Sequence, residues 1–224
     1  MAIKKVGVIG AGQMGSGIAH VVALAGYDVL LTDLTKEAVD KAIETIGRNM
    51  DRQIARGIIT VADKQAALQR ISYAPDYDAF ADCDLVIEAA TEDESVKRKI
   101  FTELSPKVKP DAIVASNTSS ISITRLASIT KRPERFIGMH FMNPVPVMQL
   151  VELIRGIATE DDTFATAREF VESLGKTIAV AEDFPAFIVN RILLPMINEA
   201  VYTLYEGVGT VEAIDKAMRL GANH

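Results

Sequence analysis

The sequence predicts an α/β fold, a doubly wound and mostly parallel sheet followed by the start of an all-helical region. Three observations carry this. Short apolar runs rich in Val and Ile alternate with segments of helical periodicity as far as about residue 182, as a sheet covered on both faces requires. The first apolar run leads directly into Gly10-Ala11-Gly12-Gln13-Met14-Gly15 and then into an apolar helical stretch. Beyond Asp183-Phe184-Pro185 the strand signals stop and only helical patterns remain. The predicted division is therefore 1–183 for the sheet domain and 184–224 for the beginning of a helical domain.

Strands are predicted over 5–9, 29–32, 85–88, 113–116, 136–140, 150–154 and 178–181, and helices over 13–25, 36–56, 62–69, 94–104, 163–174, 187–206 and 211–218. Thr35 and Thr210 stand where a side-chain oxygen can cap the second and last helices. Gly175 follows the helix over 163–174 as a natural C-terminal stop. The helix over 187–206 is apolar on most sides and calls for burial against another domain or subunit.

Composition removes several function classes. At 224 residues with a hydrophobic fraction of 49% the chain can bury a sizeable core. A net charge of −6 gives no reason to expect nucleic-acid binding. The longest apolar stretch is interrupted by Asn190, Arg191, Asn198 and Glu199, which argues against a membrane span. Cys83 is the only cysteine, so neither a disulfide framework nor a Cys-based metal site is expected. Met1 to Lys5 run straight into the first strand, so no leader is expected, and the default setting is reducing and cytoplasmic.

The glycine turn is the strongest functional signal, because it lies between a strand and a helix. Gly10 suits a tight turn, Gly12 lets backbone amides approach a pyrophosphate, and Gly15 lets the helix pack against the strand. The anion would sit on the positive end of the helix dipole. The second strand ends in Asp33, whose carboxylate can bond a ribose 2′-hydroxyl and would repel a 2′-phosphate. These features describe a Rossmann-type dinucleotide site that favours NAD and leaves NADP as the alternative.

Chemistry is sparse elsewhere. His140 ends a predicted strand and leads into Asn143-Pro144-Val145-Pro146, at the carboxyl edge where open parallel sheets bind ligands. Glu152 is an acid inside the apolar returning strand. It can hold the imidazole in one tautomer, or it can be an ordinary solvent-facing residue, with His140 a cap. His20 reads as a packing residue on the first helix. The hydroxyl-rich segment Ser116-Asn117-Thr118-Ser119-Ser120 suits either a substrate oxygen or the cap of a following helix. Arg48, Arg52 and Arg56 form a basic stripe that suits phosphates or solvent.

Six segments in order resemble the short-chain 3-hydroxyacyl-CoA dehydrogenases, above all the bacterial 3-hydroxybutyryl-CoA enzymes. They are VIGAGQMGSGIA (8–19), DLVIEAATE (84–92), ASNTSS (115–120), IGMHFMNPVPVMQLVELIRG (137–156), FIVNRILLPMINEA (187–200) and IDKAMRLGANH (214–224). The resemblance implies hydride transfer between NAD(H) and C3 of an acyl-CoA. It implies that His140 is the acid/base, that Glu152 pairs with it, and that Ser119 and Asn190 bind the reacting oxygens. On the cofactor side it implies Gly10, Ala11, Gly12, Gln13, Met14 and Gly15 at the pyrophosphate and Asp33 at the adenine ribose. Glu92, Lys97, Ser119 and Asn143 would line the nicotinamide half. Asn49, Arg52 and Arg56 would meet the CoA phosphates. It implies no metal, and a homodimer completed by further helices after the last motif.

Two departures stand out. The family carries glycine after the proline at 185, where this chain has Ala186, which would shift the start of the helix carrying Asn190. The family also continues beyond the LGANH motif, so the helical domain here is expected to be incomplete. Two other readings remain. One is a dehydrogenase of free hydroxy acids, which relies on a lysine where this chain has Asn190-Arg191. The other is a nucleotide-binding protein without activity.

Overall fold

The computed structural model describes residues 3–224. Its backbone divides into two units, one ending at Pro185 and the other running from Ala186 to His224.

The first unit begins with β1 (Lys5–Ile9), α1 (Gln13–Leu24), β2 (Asp28–Thr32), α2 (Lys36–Ala55), α3 (Val61–Gln69) and β3 (Ile71–Tyr73). It continues with β4 (Leu85–Glu88), α4 (Glu94–Leu104), β5 (Ile113–Ser116), α5 (Ile123–Ala127), β6 (Phe136–Phe141), β7 (Leu150–Arg155), α6 (Asp161–Ser173) and β8 (Thr177–Glu182). Single 3₁₀ turns at Tyr77–Phe80 and Pro133–Arg135 lead into β4 and β6.

These strands form one sheet in the order β3-β2-β1-β4-β5-β6-β7-β8. The predicted α/β class holds: every pairing is parallel except that of β6 with β7. β1 lies centrally, with Val6 and Val8 fully buried, and Leu85, Ile87, Ile113, Ile137 and Met139 extend the core. The strand order reverses outward from β1, and β1's neighbours β2 and β4 leave a crevice above their carboxyl ends.

The capping signals were well placed. Thr35 accepts a hydrogen bond from the Ala38 amide and Thr210 one from the Ala213 amide. Gly175, at φ 71°, ends α6 in the left-handed conformation that glycine tolerates. β3 was not anticipated; at three residues it is too short to show a period.

The second unit comprises α7 (Val189–Tyr205) and α8 (Val211–Gly221). Neither helix has a buried residue, and Ile192, Leu194, Ile197 and Val201 of α7 are exposed. The predicted start at residue 187 moves to Val189, because Ala186 and Phe187 take positive φ values of 66° and 50°. α7 contains Pro195.

Candidate active site

The glycine turn has the shape its sequence demanded. Gly10 is at φ 101°, and a Cβ there would lie 2.6 Å from the Ala89 carbonyl oxygen. A Cβ on Gly15 would lie 1.7 Å from the Gly10 carbonyl oxygen, so the helix closes against the turn only because Gly15 lacks one. Gly12 meets nothing within 4 Å. It is the N-cap of α1, no side chain caps that end, and no acid stands in the first turn. The amides and the positive end of the dipole are therefore directed at open space, which fits a phosphate. Met14 turns its side chain into the core.

Asp33 stands at the end of β2. Its Oδ2 accepts from the Ala11 amide at 2.6 Å and its Oδ1 from the Leu34 amide at 2.7 Å. The carboxylate thus ties β2 to the glycine turn and keeps further lone pairs for a sugar hydroxyl. The residues that would hold a dinucleotide are consistent with one another.

A cleft of about 580 Å³ opens beside the turn. Gly12, Gln13 and Asp33 line it on one side, Lys41, Thr45 and Asn49 of α2 on another, and Asn143 to Pro146 on the third. The Gln13 amide donates to Asn143 Oδ1 at 3.0 Å, which joins the turn to the β6–β7 loop. Lys41 and Thr45 were missed by the sequence reading. The signal was available, since 41, 45 and 49 recur on one helical face. Of the predicted stripe, Arg52 reaches Asn49 Oδ1 at 3.4 Å, Arg48 turns to Thr45 at 2.8 Å, and Arg56 is the exposed C-cap of α2.

His140 and Glu152 are brought together. His140 lies in β6 and Glu152 in β7, opposite each other in register. His140 Nδ1 is 2.7 Å from Glu152 Oε2, with the histidine 6% exposed and the glutamate fully buried. The Asn117 side chain accepts from the Phe141 amide at 2.9 Å and so fixes the end of β6 against β5. His20 is a packing residue, as expected, fully buried with Nε2 3.0 Å from Gln53 Oε1.

The loop after β5 carries Ser119 and is held by two carboxylates. Glu92 Oε1 accepts from Thr118 Oγ1 at 2.6 Å and from the Ser119 amide at 2.8 Å, with the Ser119 hydroxyl at 3.1 Å. Burial raises the Glu92 carboxyl, but the Thr118 and Ser119 hydrogen bonds and the Lys97 charge outweigh it and hold it below the usual carboxylate range. Further along, Asp183 accepts from Ser122 Oγ and from the Ile123 and Thr124 amides, each at 2.8 Å. Sequence reading used Asp183 only as a boundary; nothing local marks a bond to residues some sixty positions earlier. Lys97 is 1% exposed with its ammonium 2.7 Å from Glu88, so it stands behind this loop. Asn190 is the second residue of α7 and is half-buried. No group of His, Cys, Asp and Glu suited to a metal occurs among the described residues.

A glycine turn at the switch point of a doubly wound sheet, an acid ending β2 and a buried His–Glu pair at the same edge define a nicotinamide-dependent oxidoreductase. The chain belongs to the 3-hydroxyacyl-CoA dehydrogenase family: residues 5–184 match that family's NAD-binding domain and residues 187–224 its C-terminal domain. It is 68% identical to a 3-hydroxybutyryl-CoA dehydrogenase of Bradyrhizobium diazoefficiens, over 99% of this chain and 76% of that protein. It is 46% identical to a probable 3-hydroxybutyryl-CoA dehydrogenase of Bacillus subtilis, over 100% of this chain and 78% of that protein. Among solved structures, the (S)-3-hydroxybutyryl-CoA dehydrogenase of Ralstonia eutropha superposes with a TM-score of 0.97 at 49% identity, covering 100% of this chain and 79% of that one.

Proposed function

We propose that this NAD-dependent enzyme interconverts a short-chain 3-hydroxyacyl-CoA, 3-hydroxybutyryl-CoA above all, and its 3-keto form, with His140 as acid/base. The observation that carries the reading is the buried 2.7 Å contact of His140 Nδ1 with Glu152 at the sheet edge that bears the glycine turn. With Nδ1 held by the carboxylate, proton exchange falls to Nε2. In oxidation His140 takes the 3-hydroxyl proton, and Glu152 stabilises the charge that develops on the ring. In reduction the same proton returns to the ketone oxygen. The bound nicotinamide supplies the acceptor or donor of the hydride at C3.

Around this step the chain positions and holds. The amides at Gly12 and the α1 terminus would take the pyrophosphate, and Asp33 the adenine ribose. Ser119 would meet the reacting oxygen, while Glu92 and Asn143 shape the nicotinamide half. The cleft along α2 supports a site for the CoA phosphates, with Lys41 and Thr45 beside Asn49 and with Arg52 at its rim. The apolar residues exposed on α7 and α8 support assembly as a homodimer. No helix among the described residues is long and apolar enough to cross a membrane, which supports a cytoplasmic setting.

The test is NADH oxidation with acetoacetyl-CoA, run beside NADPH and beside a fluorescence titration of NADH alone. Turnover with NADH is expected. NADH binding without turnover would count against the acid/base and substrate assignments, and loss of both would count against the cofactor site as well.

A further inference from the structure

Lys176 is a half-buried cation that the reaction as described does not use. It follows Gly175, whose positive φ ends α6, and precedes Thr177, the first residue of β8. The antiparallel return of β7 decides where this puts it. β7 starts at the edge where β6 ends, and β8 runs parallel to β7, so β8 starts at that edge too. The chain thus comes back from α6 to the edge that bears His140 and the glycine turn. The Thr177 amide donates to the Gln149 carbonyl at 2.8 Å and fixes Lys176 beside the last residues of the β6–β7 loop.

The Lys176 ammonium donates to two carbonyl oxygens of that loop, Val145 at 2.6 Å and Met148 at 2.7 Å. Burial pulls the amine below the usual lysine range, and no carboxylate among the described residues offsets this. The charge is answered by the loop's backbone instead of by an acid. Both carbonyls belong to one turn, because the amides of Val147 and Met148 both donate to the Pro144 carbonyl, at 3.0 and 2.9 Å. The ammonium closes the carbonyl side of the turn as a lysine closes the last carbonyls of a helix.

The other flank of the loop is seated on α1. Val145 is buried, and a Cβ on Gly17 would lie 2.8 Å from the Val145 Cβ. Asn143 accepts from the Gln13 amide at 3.0 Å. The loop therefore stands between α1 and Lys176, and it forms one wall of the cleft beside the glycine turn.

We propose that Lys176 is a positioning residue whose ammonium clamps the turn 144–148 against α1 and so sets where Asn143 stands. Its effect on the cofactor rests on the reading of Asn143 as lining the nicotinamide half.

The experiment uses the full chain and compares Lys176→Met with Lys176→Arg. Methionine keeps an apolar stem and removes both donated hydrogen bonds, whereas arginine keeps the charge and the donors. Amide hydrogen exchange is followed at Val147 and Met148 in the free protein, with β7 and β8 as internal controls. In the methionine variant exchange at the two amides should rise about tenfold while the control strands keep their protection. The dissociation constant of NADH should rise about fivefold, and that of ADP, which lacks the nicotinamide half, by less than about twofold. The arginine variant should stay within about threefold of the wild type in both measurements. Wild-type exchange at Val147 and Met148 in the methionine variant overturns the proposal. An equal rise throughout β7 and β8 also overturns it, since Lys176 would then be a packing element, and so does an equal loss of NADH and ADP affinity. Faster loop exchange with unchanged NADH affinity upholds the clamp and overturns the placement of Asn143 at the nicotinamide half. If the methionine variant does not fold, Lys176→Gln removes the charge and leaves a donor for one carbonyl, and about a threefold rise at the two amides is expected; no rise overturns the proposal.

Discussion

His140 and Glu152 are direct cross-strand partners in the sheet's antiparallel pairing, with Nδ1 and Oε2 2.7 Å apart. The antiparallel return makes this possible. A crossover helix would carry the next strand back to the opposite edge, whereas β7 starts at the edge where β6 ends. Opposed residues in such a pair have Cβ atoms about 4.5–5.5 Å apart, close enough for an imidazole and a carboxylate to bond. His140→Gln should lower turnover by about 10²–10⁴-fold, the usual worth of general acid–base help, with little change in NADH affinity. Stopped-flow and titration measurements check this, and near-normal turnover would remove His140 from the proton step.

Much of this was legible in the sequence, for identifiable reasons. The glycine turn, Asp33 and the His140 strand carry signals within a few residues of themselves, set by backbone conformation and apolar period. Glu152 was visible as an acid inside an apolar strand. Glu88 ends an apolar strand in the same way, yet its meaning depends on Lys97 and Ser116, which no local pattern assigns to it. The Asp183 bonds and the Asp33 bond to Ala11 were hidden for the same reason, since they join residues distant in sequence.

Asp33 has two duties, and they predict a selective loss. Its carboxylate would bond the ribose of NADH and repel the 2′-phosphate of NADPH. Asp33→Ala should weaken NADH by about tenfold or more and leave NADPH little changed or improved. It also removes the 2.6 Å bond from the Ala11 amide, so a small loss common to both cofactors is expected. Fluorescence titration with each cofactor gives the ratio. An unchanged ratio would show that Asp33 does not discriminate between them.

Ala186 lies at φ 66°, where a Cβ is strained, in the position the resembling family fills with glycine. Ala186→Gly should therefore stabilise the native state by about 0.5–1 kcal/mol, the relief of strain being partly offset by the greater freedom of glycine in the unfolded chain. Phe187 at φ 50° keeps its own strain and bounds the gain. Urea unfolding of the two proteins decides it, and a destabilised variant would place the conformation at 186 elsewhere.

His20 makes the stability of the sheet unit pH-dependent. Burial holds its imidazole below the ordinary value of 6.5, against the Gln53 hydrogen bond that raises it and with the Lys176 charge adding to the lowering. Its Nδ1 has no hydrogen-bond partner among the described residues. Above about pH 6.5 the ring is neutral in both folded and unfolded chains and contributes no pH dependence. As pH falls below that value the unfolded chain takes up a proton that the folded one refuses, until the lowered folded pKa is reached. Stability is therefore lost across that window with a limiting slope of about 1.4 kcal/mol per pH unit. His20→Gln keeps a polar group near Gln53 and removes the titration. Unfolding at pH 7.5 and 5.5 should show a larger loss in the wild type than in the variant. Equal losses would move the proton uptake to another group.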